Sequence, residues 1–293
     1  MTQDPVNNII KELANFEYIA DEAIATSIFM AQALERPLLI EGRAGVGKTE
    51  IAIVMAKLLD TELIRLQCYE GLDVTTALYE WNYPKQLLRM KLDEKTERSV
   101  EEREQEIFSE AFLLKRPLLA ALTSEDKAPV LLIDEVDRAD EEFEAFLLEV
   151  LSEFQVTIPE IGTIKAKHRP LVILTSNRTR DLSDALRRRC LYLWIDYPGM
   201  EKELLIVRNK VKGIEAKLAK QVCEFVNETR KYGLEKVPGI SETLDWANAM
   251  FSLHYDHLDP TIVARTLGVL IKDADDLERF RTEAIEQIMR SIS

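Results

Sequence analysis

Short apolar runs of the kind that form β-strands recur between residues 38 and 195. Between them, apolar residues return every three or four positions, as in residues 7–35 and 141–152. This spacing predicts amphipathic helices between the strands. Several of the strands are apolar enough to be buried on both faces of a sheet. The runs are Leu38 to Ile40, Leu63 to Gln67, Pro129 to Ile133, Pro170 to Leu174 and Leu191 to Ile195.

Two further segments have a local pattern. Residues 154–158 and 163–167 are β-prone runs around the turn-forming residues 159–162, which predicts a hairpin. The apolar residues between 107 and 114 have helical spacing, so we expect a helix there.

The strand pattern stops at residues 196–199, where a proline and a glycine follow one another. From residue 200 onward the apolar residues have helical spacing only. We therefore predict an α/β domain over residues 1–198 and a small all-helical domain over residues 199–293.

A phosphate-binding loop is predicted between the first strand and the helix that follows it, because residues 42–49 match G-x-x-x-x-G-K-T. Glycines let successive backbone N–H groups turn toward an anion at the positive end of a helix. We expect Lys48 at the β- and γ-phosphates of a nucleotide and the Thr49 hydroxyl on Mg²⁺. The predicted nucleotide-binding residues are Gly42, Arg43, Ala44, Gly45, Val46, Gly47, Lys48, Thr49 and Glu50.

Two later strands end in polar residues suited to phosphoryl transfer. Asp134 follows one apolar run and is placed to hold Mg²⁺, and Glu135 is placed to polarise the attacking water. The next buried strand ends at Asn177. If the two strands are neighbours, Asn177 lies on the same side of the sheet as Glu135 and orients the same water.

Three consecutive arginines, Arg187, Arg188 and Arg189, end a predicted helix that begins at Leu182. Cations in the last turn of a helix stabilise it through the helix dipole. An arginine here can instead reach the nucleotide of a neighbouring subunit, where a guanidinium stabilises charge in the transition state. The residues alone leave both interpretations open.

The net charge argues against nucleic acid as a partner. The chain has 38 lysines and arginines against 52 aspartates and glutamates, a formal charge of −14, and such a surface repels phosphate backbones. The basic segment at residues 165–169 is the local exception. It is either a solvated strand end or a contact for an acidic substrate.

Cysteine content and hydropathy indicate the compartment. Cys68, Cys190 and Cys223 are too few and too scattered for a disulfide framework or a zinc site. No apolar stretch approaches the ~20 residues that a membrane-spanning helix needs, and the N-terminus lacks the apolar core of a signal peptide. We therefore expect a cytoplasmic protein without a membrane span.

With these motifs in place, the chain resembles the AAA+ ATPases, and within them the MoxR-type family of the helix-2-insert branch. The wording of residues 67–73, 79–83 and 193–198 is most similar to the members associated with maturation of molybdenum-containing carbon monoxide dehydrogenase. The matching segments are residues 42–49 (Walker A), 131–139 (Walker B), 147–158 (entry to the pre-sensor hairpin), 174–177 (sensor 1) and 182–189 (arginine-finger helix).

The resemblance implies a P-loop fold with a parallel five-stranded sheet between helices and a helical lid. It also implies a ring, often of six subunits, with ATP and Mg²⁺ at each subunit interface. Alignment by spacing favours Arg189 as the arginine finger, with Arg188 second. Where many relatives carry a lid arginine, sensor 2, this chain has Thr243, which carries no charge.

A chaperone-like role follows from the same resemblance: remodelling or activation of a metalloenzyme client, usually with a partner that carries a von Willebrand A domain. Other functions stay open at this point. The missing lid arginine is compatible with a nucleotide-dependent assembly module that hydrolyses little ATP. A chelatase-like subunit that inserts metal is a close neighbour of the leading hypothesis, and a DNA or RNA loader or helicase is disfavoured by the charge.

Overall fold

The computed structural model describes residues 4–93 and 99–292. The five strands predicted from apolar runs are all present; three begin at the predicted residue, and β5 and β8 begin one residue after the proline that opens their runs. The strands are β1 Leu38–Gly42, β2 Leu63–Gln67, β3 Tyr79–Trp81, β4 Leu113–Lys115, β5 Val130–Asp134, β6 Gln155–Ile158, β7 Gly162–Lys165, β8 Leu171–Ser176 and β9 Leu191–Ile195.

Helices fill most of the chain between and after these strands. Several begin at an acidic N-cap, as at α8, where the Asp140 carboxylate accepts a hydrogen bond of 2.8 Å from the backbone N–H of Phe143. The α-helices are α1 Pro5–Asn15, α2 Glu22–Leu34, α3 Lys48–Leu58, α4 Val74–Ala77, α5 Tyr83–Asp93, α6 Val100–Ile107, α7 Pro117–Leu122, α8 Glu141–Glu153, α9 Asp184–Arg189, α10 Met200–Lys210, α11 Ala216–Thr229, α12 Ile240–Ser252, α13 Pro260–Thr266, α14 Ala274–Arg279 and α15 Ile285–Ser291.

The main sheet has five strands in the order β2-β5-β8-β1-β9. β5 pairs in parallel with β2 on one side and with β8 on the other. All residues of β1 and β5 are buried, as expected for strands covered on both faces. The predicted parallel five-stranded sheet between helices is therefore confirmed, and so is the neighbourhood of the two strands that end at Asp134 and Ser176.

The predicted hairpin is also present. β6 and β7 pair in antiparallel register from Gln155 opposite Lys165 to Ile158 opposite Gly162. Gly162 has a φ of 98°, a conformation that favours glycine at the end of the turn. The strands are each four residues long, so β7 ends at Lys165 and not at residue 167.

The helix expected over residues 107–114 is wrong. α6 ends at Ile107, and Leu113–Lys115 forms β4, which pairs in antiparallel fashion with β3. The pairing places Leu113 opposite Trp81, and both side chains are buried. Tertiary packing of these apolar residues has overridden their helical spacing, as it commonly does in short segments.

The chain divides into two compact units. The loop unit comprises the described residues of 1–22, 42–51 and 194–293, and the sheet unit comprises those of 23–41 and 52–193. Each has its own apolar core. The phosphate-binding loop thus groups with the C-terminal helices, and the boundary at residue 198 stays a prediction.

The core of the loop unit is built on its C-terminal helices. Phe225, Trp246 and Phe280 are fully buried there, with ring centroids 5.2 Å and 6.3 Å from Phe225. Among the described residues after β9 there is no strand, as predicted. No helix formed by residues 4–93 and 99–292 is long and apolar enough to cross a membrane.

A buried ion pair lies among the helices of the loop unit. The Arg230 guanidinium donates two hydrogen bonds of 2.7 Å to the Glu203 carboxylate, and it is only 8% exposed. Arg230 also donates to the carbonyl oxygen of Pro238 and lies 4.8 Å from the ring centroid of Tyr197. The Thr243 hydroxyl completes the cluster with a 2.7 Å bond to Glu203. Both charges are thus met by protein groups.

Breaking this pair from one side is expected to be costly, because it leaves an uncompensated buried carboxylate. We expect Arg230→Met to lower the free energy of unfolding by about 3–5 kcal/mol. The matched control is Arg290→Met, which removes an exposed pair with Glu286 in the same unit and should cost about 1 kcal/mol or less.

The measurement is urea unfolding followed by the fluorescence of Trp246, in a background where Trp81 and Trp194 are phenylalanine so that a single tryptophan reports on this core. Equal losses in the two variants would mean that Arg230 contributes no more than a surface ion pair.

Candidate functional site

The predicted phosphate-binding loop follows β1 and leads into α3, within the loop unit. Gly45 and Gly47 have positive φ angles of 71° and 88°, which residues with a side chain rarely adopt. A Cβ atom on Gly42 would lie 2.0 Å from the backbone oxygen of Ile195. Gly45 and Gly47 are therefore required because of their backbone conformation. Gly42 is required because a side chain there would clash with the backbone of Ile195.

Lys48 lies folded across its own loop. Its ammonium group donates hydrogen bonds to the carbonyl oxygens of Gly42 at 2.9 Å and Arg43 at 2.7 Å, and the side chain is largely buried. Thr49 follows in the first turn of α3. A positive charge, a hydroxyl oxygen and the N–H groups of a helix start are thus collected in one turn, which suits an anion and its counter-ion.

The other predicted nucleotide-binding residues differ in exposure. Arg43 and Ala44 are exposed, Val46 is buried, and Glu50 forms an ion pair of 3.0 Å with Lys210. The Glu50 carboxylate is occupied by this ion pair. The group of Glu50 that is suited to a phosphate is therefore its backbone N–H, which lies in the first turn of α3.

The start of α12 packs tightly on this loop inside the loop unit. The backbone N–H and the hydroxyl of Ser241 both donate to the carbonyl oxygen of Gly45, at 3.2 and 3.3 Å. A Cβ atom on Gly239 would lie 2.8 Å from the carbonyl oxygens of both Ala44 and Gly45, so glycine is required there. Sequence reasoning missed Gly239, whose signal is a glycine directly before a helix start and after Pro238.

Thr243, at the position expected for sensor 2, is fully buried among the helices of the loop unit. Its hydroxyl bonds to the Glu203 carboxylate and to the carbonyl oxygen of Gly239, at 2.7 and 3.0 Å. Thr243 therefore links the buried ion pair to the glycine that packs on the loop.

Asp134, the last residue of β5, is 3% exposed and lies in the sheet unit. One carboxylate oxygen accepts the Thr175 hydroxyl, whose oxygen in turn accepts the backbone N–H of Glu135 at 2.9 Å. The other accepts the Arg65 guanidinium at 2.5 Å. A carboxylate at the end of β5 supplies oxygen atoms of the kind and charge that Mg²⁺ prefers, so Asp134 fits the role of a Mg²⁺ ligand.

The Glu135 side chain is held by three donors. Asn177 Nδ2 lies 3.2 Å from one carboxylate oxygen, and Gln67 Nε2 and Arg138 Nε lie 3.2 and 2.9 Å from the other. The backbone of Glu135 has a φ of 55°, which is uncommon for a residue with a side chain. Strained residues of this kind are concentrated at functional sites. The side chains of Glu135 and Asn177 are thus in contact, as predicted.

Gln67, Arg65 and Arg138 were not predicted. Gln67 ends β2 and lies opposite Asp134 in the parallel register. The signal in the sequence is that Gln67 is a polar residue at the end of a strand. This signal indicates a contact with the residues after β5 only when the order of the strands in the sheet is known.

Asp137 holds the loop that carries Asn177. It is almost fully buried, and its carboxylate accepts the backbone N–H groups of Asn177 and Thr179 at 3.2 and 2.8 Å and the Thr179 hydroxyl at 2.7 Å. The two loops after β5 and β8 are therefore bonded to each other as well as to Glu135. Asp137 was also missed, since its partners lie about forty residues away.

The three consecutive arginines do not share one environment. Arg187 is half-buried, while Arg188 and Arg189 are exposed. The Arg36 guanidinium donates to the carbonyl oxygens of Arg188 at 2.7 Å, Arg189 at 3.3 Å and Cys190 at 3.4 Å, which satisfies the end of α9. The side chains of Arg188 and Arg189 thus project from a helix end whose backbone is fixed.

The basic segment at residues 165–169 is partly neutralised within the sheet unit. Arg169 forms an ion pair of 2.7 Å with Glu35 and lies 5.6 Å from the ring centroid of Phe154. His168 Nε2 lies 3.2 Å from the carbonyl oxygen of Glu125. These bonds favour the solvated strand end over a dedicated anion site.

Parts of this chain are similar in sequence to known proteins. RuvB subunits of the Holliday junction branch migration complex from Thermotoga petrophila and Thermotoga maritima are 25% and 24% identical over 179 residues. Each match covers 59% of this chain and 53% of the relative, so the chain spans about half the length of the curated relatives it matches.

Solved structures of two single-substitution mutants of Thermotoga maritima RuvB have a similar fold. The first has a TM-score of 0.51 at 19% identity and covers 90% of this chain and 73% of its own. The second has a TM-score of 0.50 at 20% identity and covers 97% of this chain and 78% of its own. At such identities the similarity shows the fold alone.

The model of the AAA domain, dynein-related subfamily, matches residues 37–190, which is more than half of the chain. The matched segment contains the phosphate-binding loop, Asp134, Glu135, Asn177 and the three arginines. The chain therefore belongs to the AAA+ ATPase family, in its dynein-related subfamily.

Proposed function

We propose that this chain is a ring-forming ATPase that uses ATP hydrolysis to remodel or activate a protein client. The observation that carries the proposal is the Glu135 carboxylate, which Asn177, Gln67 and Arg138 hold in one orientation. A protein that only binds nucleotide has no use for a carboxylate held in this way.

The chain's own residues take the following parts in the reaction. The backbone of the phosphate-binding loop and the Lys48 ammonium bind the phosphates of ATP. The Thr49 hydroxyl and the Asp134 carboxylate are the oxygen groups that would serve as Mg²⁺ ligands, and the ion would neutralise charge on the β- and γ-phosphates. Glu135 orients the attacking water and accepts its proton, and Asn177 fixes the direction in which the carboxylate points.

Charge that develops on the γ-phosphate also needs a cation from the neighbouring subunit. Arg189 is our first candidate and Arg188 the second, because both are exposed at the end of α9 and an arginine finger is supplied in trans. A ring follows as the assembly in which each subunit offers this helix end to the next, and six subunits are the number that the family resemblance implies.

The finer assignment is a MoxR-type, cytoplasmic maturation factor for a metalloenzyme, acting with a von Willebrand A domain protein. Its support is the wording of residues 67–73, 79–83 and 193–198. α5 offers apolar surface that a protein client could cover, because Leu87, Leu88 and Leu92 are 56%, 59% and 65% exposed.

A second candidate is a nucleotide-dependent assembly module with slow hydrolysis. The buried position of Thr243 favours it, since this residue supplies no lid charge. A nucleic-acid motor is the less favoured reading. The curated relatives are named as Holliday junction subunits, but this chain carries a formal charge of −14 and pairs Arg169 with Glu35.

Lys48→Ala is expected to abolish measurable nucleotide binding, because the ammonium is the main positive side chain proposed at the phosphates. Fluorescence titration with a labelled ATP analogue measures the affinity. Lys57→Ala, at the far end of the same helix, is the matched control and should bind as the unaltered protein does. An unchanged affinity in Lys48→Ala would refute the assignment of the loop.

Glu135→Gln separates the motor from the assembly module. We expect the variant to bind ATP and to form the ring, with turnover lower by about 10²–10⁴-fold, because the amide cannot accept the proton of water. Glu149→Gln, an exposed change on α8, is the control. If the unaltered protein turns over no faster than Glu135→Gln, even with partner and client present, the motor proposal fails.

Arg189→Ala is expected to leave ATP affinity intact and to lower turnover of the assembled ring by a factor on the order of 10³, since it removes the cation offered to the neighbouring site. Arg188→Ala, measured in parallel, should have the smaller effect. The opposite ranking in steady-state assays would assign the trans-acting role to Arg188.

A further inference from the structure

Glu41 is a fully buried carboxylate that the proposed reaction does not use. It lies in β1, directly before the phosphate-binding loop, with 0% of its surface exposed. A buried carboxylate is stable only when donors or cations meet it. The identity of the groups that meet Glu41 therefore indicates what it does.

Three polar partners of the Glu41 side chain lie among the described residues of the sheet unit. The Tyr192 hydroxyl donates to one carboxylate oxygen at 3.0 Å. Arg187 Nη2 lies 3.4 Å from the other oxygen, and Arg178 Nε lies 3.7 Å from the first. Asp181 bridges the two arginines, at 3.8 Å from Arg178 and 3.6 Å from Arg187.

These partners join two parts of the proposed machinery. Arg178 follows Asn177 directly, and its φ of 57° marks a sharp turn there. Arg187 lies in the middle of α9, one residue before the two candidate trans-acting arginines. Glu41 thus ties the end of the strand that carries Asn177 to the helix that carries Arg188 and Arg189.

α9 depends on such contacts for its orientation. It has only six residues, and so short a helix is not stable by itself. Contacts fix it at both ends: the Glu144 carboxylate accepts the backbone N–H of its N-cap Ser183 at 2.9 Å, and Arg36 bonds the carbonyl groups at its C-terminus. The Glu41 bond to Arg187 fixes its rotation.

Rotation decides where the next two side chains point. Successive residues of a helix are about 100° apart, so an Arg187 side chain directed inward turns Arg188 and Arg189 away from it. The exposure of these residues agrees, with Arg187 half-buried and its two successors exposed.

We propose that Glu41 is a positioning residue: by holding Arg187 inside its own subunit, it sets the direction in which Arg188 and Arg189 reach the neighbouring subunit's nucleotide. Arg187 is then an anchor and not a finger. This inference rests on the proposed ring ATPase. It also predicts that Glu41, although adjacent to the phosphate-binding loop in sequence, acts on the neighbour's site and not on its own.

Glu41→Gln tests the proposal, because it keeps the size of the side chain and removes its charge. We expect ATP binding to be unchanged and ring turnover to fall by about 10²-fold, the scale expected for a catalytic group displaced by about 1 Å. Arg187→Gln should give the same loss, and the double variant should lose no more than either single one. Glu35→Gln, which removes an exposed pair with Arg169, is the matched control.

Mixed rings show which site is affected. Glu135→Gln subunits have an impaired site of their own but intact arginines, so mixing them with Glu41→Gln subunits should restore turnover at the Glu41→Gln sites. A loss that mixing does not restore would place Glu41 in its own nucleotide site and overturn the proposal. So would a Glu41→Gln ring with the unaltered rate.

A purely structural role and a failed ATPase assignment are both distinguishable. If Glu41→Gln does not fold, Arg187→Gln carries the same mixing test with the buried carboxylate still held by Tyr192 and Arg178. If the unaltered ring has no turnover, the proposed function fails, and amide hydrogen exchange of residues 184–190 decides the positioning claim. Faster exchange in Glu41→Gln but not in Glu35→Gln supports it, and equal exchange refutes it.

Discussion

The parallel pairing of β5 with β8 is the constraint on which the proposed chemistry depends. It brings the polar residues that follow both strands to one edge of the sheet, where Glu135 meets Asn177 and Asp134 meets Thr175. Without this pairing Asp134 would lose the Thr175 hydroxyl and Glu135 would lose the Asn177 amide, which leaves Arg65, Gln67 and Arg138 as their partners. The same pairing that completes the core therefore assembles the hydrolytic residues.

Several of the buried carboxylates in this acidic protein are paired with an arginine. Three of them fix a segment that matters to the proposed function: the arginine helix α9, its N-cap together with the loop after β8, and the start of α12. Burying an ion pair gains little stability by itself. The main effect of these pairs is therefore to hold each segment in one orientation. The pairs are Glu41 with Arg187, Glu144 with Arg180, and Glu203 with Arg230.

The main sheet was predictable because β1, β5 and β8 are buried on both faces and consist largely of unbroken apolar runs. β2 and β9 are half-exposed, and the β-prone runs that predicted them agree with their bounds to the residue. β3 and β4 were not predictable in the same way. Each has three residues, and its stability comes from its partner strand and from the burial of Trp81 and Leu113, which no local pattern records.

The residues of the candidate site likewise fall into two groups, those that the sequence predicts and those that it does not. Glycines, Lys48, the two acids and Asn177 follow from motifs, because their chemistry demands those residue types at those spacings. Gln67, Asp137 and Glu41 acquire a role only through contacts across the sheet, and single residues of their type occur at the ends of many strands. Long-range pairing is what sequence patterns leave out.

Turnover per subunit as a function of protein concentration, with sedimentation of the same samples in ATP, tests the central claim most directly. If each site needs an arginine from its neighbour, the rate per subunit rises as the ring assembles and levels off when assembly is complete. A rate per subunit that stays constant while the ring forms, or a ring without turnover, would contradict a ring ATPase with a shared active site.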